Sequence, residues 1–129
     1  MAAQTHYTKE HEWITHEPGK PATVGLTQFA AKQLGDVVFV ELPEVGQVFT
    51  AWSPAGTVES VKAVSEYFAP VGGTVTEVNS ELNDDPETIN EDAESAGWLY
   101  RLQPDSSASY DGLLDRKGYD AYTAAEGAD

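Results

Sequence analysis

The 129-residue chain contains no cysteine. Disulfide bonds, thiolate catalysis and zinc–thiolate sites are therefore excluded. Basic residues are scarce as well. Seven Lys and Arg stand against 22 Asp and Glu, for a formal net charge of −15. Phosphate-based nucleic-acid binding needs clustered Lys and Arg, and anionic membrane surfaces need the same, so both are disfavoured. The charge suits partners met through acidic patches, and it would equally suit a salty cytoplasm. Long apolar runs are missing too. The longest, Val37 to Val40, is far too short to span a bilayer. Met1 to Glu12 lacks the apolar core of a signal peptide and any Arg-rich amphipathic pattern, so a cytoplasmic location is expected.

Several chemistries fail for want of pattern. His6, His11, Glu12 and His16 lie close together, but a zinc protease needs His-Glu-x-x-His on one helical face. Here Thr15 takes the place of the second histidine, and His16 falls one residue late. No metal site is expected. There is no Gly-x-Ser-x-Gly elbow, and all three histidines precede residue 17, so a nucleophilic triad is not supported. Gly72-Gly73 reads as a turn between strands and not as a phosphate loop before a helix.

What is present is a globular composition. Hydrophobic residues make up 40%, with three Trp, six Tyr and four Phe, enough for one domain with a real core. The domain is expected over residues 1–129, with its core at about 7–103 and a helical tail at about 105–125. Tyr7 to Glu17 reads as an early strand, Pro18 to Pro21 as a turn and Thr23 to Leu26 as a short strand. Thr27 caps a predicted helix, Gln28 to Leu34, which Gly35 stops. Asp36 to Leu42 is the strongest strand signal, and its apolar run predicts burial on both faces. Further strands are expected at Val48-Phe49, Ala55 to Val61, Ser65 to Ala69, Thr74 to Val78 and Trp98 to Leu102. Between the last two, Asn79 to Gly97 carries seven acids and no base, and predicts a solvated loop with one helical turn at Ser80 to Leu82. Ser109 to Lys117 and Tyr119 to Ala125 read as helical, docked through Leu113, Leu114, Tyr119 and Tyr122, with Glu126 to Asp129 frayed. Many short strands with turn residues between them predict a mainly β sandwich or barrel with one early helix and a helical tail.

Lys62 stands apart. It is the only basic residue between Lys32 and Arg101. Its flanks, Val61 and Ala63, are apolar, and Glu59 and Glu66 bracket it at three and four residues. Strand, tight turn, strand would hold its amine at a hairpin tip, where another enzyme could acylate it. A group attached there becomes a mobile arm, as in carrier domains that move an intermediate between active sites. On residue type alone, an ordinary exposed lysine at a turn reads as well.

The flanking motifs separate these readings. They are His11-Glu12-Trp13, Gly25-Leu26-Thr27, Leu34-Gly35-Asp36 running on to Val45-Gly46, and Val58-Glu59-Ser60-Val61-Lys62-Ala63-Val64-Ser65. Ala69-Pro70-Val71-Gly72-Gly73-Thr74-Val75, Glu77-Val78-Asn79, Ile89-Asn90 and Gly97-Trp98 follow. In this order and spacing the chain resembles the H proteins of the glycine cleavage system over about Tyr7 to Leu102, with an echo at Leu113-Leu114 and Tyr119. The resemblance implies a barrel-sandwich hybrid fold of the lipoyl/biotinyl type and lipoate in amide linkage to Lys62. It implies a non-catalytic carrier that takes the aminomethyl group of glycine from a glycine decarboxylase (P protein) to an aminomethyltransferase (T protein). A dihydrolipoamide dehydrogenase (L protein) would reoxidise the arm, and a lipoate ligase or lipoyl/octanoyl transferase would attach it. In the family the loaded arm folds into a surface cleft, which implies that Glu12 lies near the bound amine, with Glu66 a second candidate.

The chain departs from the family pattern at Asp92-Ala93-Glu94, Ala51-Trp52 and Gly72-Gly73, which bears on loop shape and not on the lysine segment. A biotin carrier usually presents its lysine between methionines, whereas the only methionine here is Met1. A lipoyl domain of a 2-oxoacid dehydrogenase would be shorter and carry an acid just before the lysine. A lipoate-relay or regulatory lipoyl module outside glycine cleavage would show the same lysine chemistry and stays open at this stage.

Overall fold

The computed structural model describes residues 3–106 and 108–126. Two antiparallel sheets form the body. The larger contains β1 (Gln4–Tyr7), β2 (Glu12–His16), β3 (Ala22–Leu26), β9 (Tyr100–Pro104), β8 (Gly73–Val78) and β5 (Val48–Phe49), in that spatial order. The smaller places β6 (Pro54–Ser60) between β4 (Val37–Glu41) and β7 (Val64–Phe68). Ile14 and Val24 from the first sheet and Val40, Val58 and Tyr67 from the second meet in one buried cluster, so the architecture is sandwich-like. The two sheets share no strand among the described residues. A second, smaller cluster joins Tyr7, Trp13 and Tyr119, with Trp98, Leu114 and Tyr122 against it.

Helix α1 (Gln28–Leu34) begins and ends where its sequence says it should. Thr27 is extended, and its hydroxyl accepts the Ala30 N–H. Gly35, at φ 79° and ψ −157°, stops the helix in a conformation open essentially to glycine alone.

Elsewhere the chain corrects its own local signals. The early segment is a hairpin, not one strand: β1 and β2 pair Tyr7 with Trp13, and His11 turns between them at φ 70°. Strand β4 is an edge strand with one buried side. Val37 and Val40 are inside, while Val38 and Phe39 are 52% and 49% exposed. A register shift between Val37 and Phe39 breaks the alternation there, which a purely apolar run hides. The acidic segment is also more ordered than a solvated loop. It forms a 3-10 turn at Ser80–Asn83 and a short helix α2 (Thr88–Asp92), because Leu82, Ile89 and Ala93 anchor it in the core between the acids. β9 starts two residues later than predicted.

In the tail, residues 109–115 are not helical. Leu114 bridges Tyr7 through both backbone bonds, at 2.7 and 2.8 Å, and Gly112 takes φ 87°. Helix α3 runs Arg116–Glu126 instead, with the Asp115 carboxylate accepting the Gly118 N–H at 2.7 Å. Of the predicted frayed end, residues 127–129 lie outside the described residues. No helix among the described residues is long and apolar enough to cross a membrane.

Candidate functional site around Lys62

The β6–β7 hairpin turns through Ser60 to Ala63. Ser60 closes it by donating its backbone N–H to the Ala63 carbonyl at 2.8 Å. Its hydroxyl oxygen accepts from the backbone N–H of Ala63 at 3.1 Å and of Lys62 at 3.3 Å. One serine therefore satisfies the tip, and Lys62 is exposed at it. Val61 and Val64 flank the lysine at 70% and 67% exposure. Neither Glu59 nor Glu66 forms an ion pair with Lys62 among the described residues.

The tip is anchored from below. The Val61 N–H donates to the Asp36 carbonyl at 3.0 Å. On either side of Asp36, Asn90 from α2 clamps the chain: its amide donates to the Gly35 carbonyl at 2.7 Å and its oxygen accepts the Val37 N–H at 2.8 Å. The Lys62 stem lies across Gly35. A Cβ built at residue 35 would stand 3.4 Å from Lys62 Cε and 4.0 Å from Nζ. Gly35 is required at the helix stop by its φ, and the end of the lysine stem passes it at ordinary contact distance.

A cleft of about 160 Å³ opens beside the hairpin. Leu26 and Val58 line its floor. Ala30, Gln33 and Leu34 of α1 form one wall, Ala63, Ser65 and Glu66 of the hairpin another, and Glu10 and His11 the end. Glu66 therefore lines the cleft, while Lys62 stands at its edge, next to the lining residue Ala63.

Glu12 is placed differently. It is fully buried and does not line this cleft. The Thr8 hydroxyl oxygen already accepts the N–H groups of Glu10 and Glu12, at 3.1 and 3.0 Å, so its own proton goes to Glu12 Oε1 at 2.7 Å. Glu12 Oε2 accepts the Phe68 N–H at 3.0 Å, tying the larger sheet to the free edge of β7. Burial pushes the Glu12 carboxyl up from 4.5 to about 7, against the pull of the Thr8 and Phe68 hydrogen bonds and with a further push from Glu10. Close behind, burial raises the Tyr67 and Tyr100 phenols; Tyr67 donates to the Glu41 carbonyl at 2.7 Å, and the Tyr100 hydroxyl is buried without a hydrogen-bond partner among the described residues.

The three histidines divide between two places. His6 Nδ1 and His16 Nε2 stand 2.7 Å apart across β1 and β2, and His16 stacks on Tyr110 with centroids 3.5 Å apart. His11 meets the Tyr119 hydroxyl at 2.8 Å. Sequence reasoning missed the structural work of Ser60 and Asn90, and missed Glu10 and His11 as cleft residues. A serine two residues before a lone lysine, and an asparagine after a buried isoleucine in an acidic stretch, were the available signals.

The sequence matches the family model described as "Glycine cleavage H-protein" over residues 5–126. A glycine cleavage system H protein of Bacillus velezensis is 50% identical over 117 residues, covering 91% of each chain. One from Herpetosiphon aurantiacus is 52% identical over 116 residues, covering 90% of this chain and 88% of that one. The crystal structure of a glycine cleavage system H protein from Mycobacterium marinum superposes with a TM-score of 0.83 at 42% identity, covering 98% of this chain and 99% of the other.

Proposed function

The chain belongs to the glycine cleavage H-protein family, and from that membership and the setting of Lys62 we propose that it is the lipoyl-bearing carrier of the glycine cleavage system. It is a carrier component and not a catalyst. The observation that carries the reading is a lone exposed amine on a tight, anchored hairpin beside a cleft. Lipoate suits this place. The amine is accessible for acylation, the stem has room across Gly35, and the neighbouring cleft has an apolar floor with a carboxylate at its side. Attached lipoate would supply a disulfide as two-electron acceptor for the aminomethyl group that glycine yields as carbon dioxide leaves.

The protein's own contribution is presentation and shelter. Lys62 Nζ, once deprotonated, forms the amide. Ser60, Asp36 and Asn90 keep the tip fixed, so the arm swings from a rigid base. Val61 and Val64 give partner enzymes an apolar contact around the arm. Glu66 would offer a carboxylate to the cation of a folded-back arm at the cleft, and Glu12 would support the strand that carries Glu66 by holding the Phe68 amide. The partners are the P, T and L proteins and a lipoate ligase or lipoyl/octanoyl transferase, all met in the cytoplasm.

The test is intact mass and peptide mapping after incubation with lipoate, ATP and a lipoate ligase, run on the wild type and on Lys62→Arg. A lipoyl-sized gain confined to Lys62, followed by glycine decarboxylation with the P protein, is expected. Absence of any gain on the folded protein, or decarboxylation retained by Lys62→Arg, refutes the proposal. A gain on Lys62 without decarboxylation would transfer the protein to a lipoate-relay role.

A further inference from the structure

We infer that Tyr119, in the C-terminal helix, is a positioning residue for the arm cleft: one hydroxyl clamps two of its walls. The phenol oxygen lies 2.8 Å from His11 Nδ1 and 2.6 Å from Thr27 Oγ1. His11 forms the end of the cleft. Thr27 is fully buried and caps α1, whose Ala30, Gln33 and Leu34 form a side wall. The same two residues are also joined through the backbone, where the Thr27 N–H donates to the His11 carbonyl at 3.0 Å. Tyr119 therefore completes a closed triangle between the β1–β2 turn and the start of α1.

The triangle has something to hold. His11 has φ 70°, a conformation that a residue with a side chain adopts only when its surroundings impose it. Its ring packs between Phe29 of α1, with centroids 4.9 Å apart, and Tyr122 of α3 at 5.9 Å. Helix α1 has only seven residues, so its cap is a large share of what fixes its first turn. Tyr119 itself cannot drift. It is 1% exposed and stacks on Tyr7 at 4.9 Å, which Arg116 covers in turn. Through one oxygen the C-terminal helix thus sets the spacing of the cleft end against the cleft side. That spacing decides how firmly a folded-back arm is held.

The inference rests on the carrier reading for its purpose but not for its geometry, and the test separates the two. Tyr119→Phe removes the hydroxyl and keeps the stack on Tyr7. Arg116→Ala loosens α3 packing and leaves the triangle's own bonds in place. Through Glu94, which accepts the Gln28 N–H at 2.8 Å, it bears on α1 at Gln28 and not at the Thr27 and Ala30 amides. In the unmodified protein, amide hydrogen exchange of Thr27 and Ala30 is expected to rise roughly tenfold in Tyr119→Phe and to stay at the wild-type rate in Arg116→Ala. In the lipoylated, glycine-loaded protein, ammonia release in the absence of T protein is expected to rise by a similar factor in Tyr119→Phe alone. His11→Asn, which tolerates the left-handed backbone, repeats the test from the other side of the bond.

Unchanged exchange in Tyr119→Phe and His11→Asn overturns the clamp whatever the arm does. Equal effects in Arg116→Ala overturn it in favour of general packing. Raised exchange with unchanged ammonia release overturns its role in the cleft. Failure of Lys62 to take up lipoate overturns the carrier reading while the exchange result still decides the clamp.

Discussion

Ionisation of Glu12 should leave a visible mark on the stability of the protein. The carboxyl is fully buried, and burial raises it from 4.5 to about 7. The unfolded chain releases this proton near pH 4.5, whereas the folded chain keeps it to about pH 7. Between those values the folded state binds more protons, so stability falls as pH rises through the window. The contribution is intact below 4.5 and fully lost above 7. At about 1.36 kcal/mol per pH unit, the loss is about 3 kcal/mol. Ionisation of the other acids on a chain of net charge −15 lowers stability over the same range, so the wild-type curve alone is not decisive.

The comparison is with Glu12→Gln, which cannot ionise. Its carbonyl can accept from Thr8 or from Phe68 but not both, so the variant loses one hydrogen bond, a roughly constant offset of about 1–2 kcal/mol. Urea melts of both proteins at pH 4.5, 5.5, 6.5 and 7.5 give the difference directly. The wild type should be the more stable at pH 4.5, and the difference should move by about 3 kcal/mol against it by pH 7.5, so that Glu12→Gln becomes the more stable of the two. Parallel curves, or a Glu12 carboxyl that titrates near 4.5 by carbon NMR, would refute the argument.

Removing the hydroxyl at Thr8 should act on the same group. Thr8→Val takes away one donor to Glu12 and one acceptor for two backbone N–H groups, so the Glu12 midpoint should move further up and stability fall by about 2–3 kcal/mol; an unmoved NMR midpoint would count against it. Gly35→Ala should cost about 1–3 kcal/mol in denaturant melts through its φ of 79°, while its new Cβ, at ordinary contact distance from the Lys62 stem, should leave acylation of Lys62 at the wild-type rate. Normal stability would show that the helix stop does not need glycine. Asn90→Ala should cost about 2–3 kcal/mol and speed amide exchange at Val61, because both clamps around Asp36 are lost. A melt within 0.5 kcal/mol of wild type, by the roughly ±0.5 typical of surface changes, would place Asn90 outside the anchor.

The parts of the site that were legible in the sequence are those where one residue's chemistry settles its place. Thr27 and Gly35 mark the ends of α1 because a hydroxyl caps the start and a positive φ excludes other residues at the stop. The Lys62 hairpin followed from β-rich flanks and a turn too short to hide an amine. The resemblance supplied the identity of the attached group, which no local pattern could. The misreadings came from averaging. Seven acids between residues 79 and 97 suggested a solvated loop, but Leu82, Ile89 and Ala93 are buried among them, and three anchors outweigh an acidic mean. The apolar run at β4 suggested two buried faces, but a bulge turned Val38 and Phe39 outward.

Glu12 shows the limit most clearly. The motif brought it into view, but its partners are Thr8, four residues away, and Phe68, 56 residues away. Whether a carboxylate sits in a cleft or in the wall behind it depends on which sheet edge it meets, and pairing of the two sheets decides that. Tyr119 lies further still, 108 residues from His11 and 92 from Thr27. The tail reads as docked through Tyr119 and its apolar neighbours, and the same helix face that buries Tyr119 also aims its hydroxyl at the cap of α1. A long-range hydrogen bond of this kind leaves no spacing to read. It follows only once the β1–β2 turn, the start of α1 and the C-terminal helix have been brought to a single oxygen atom.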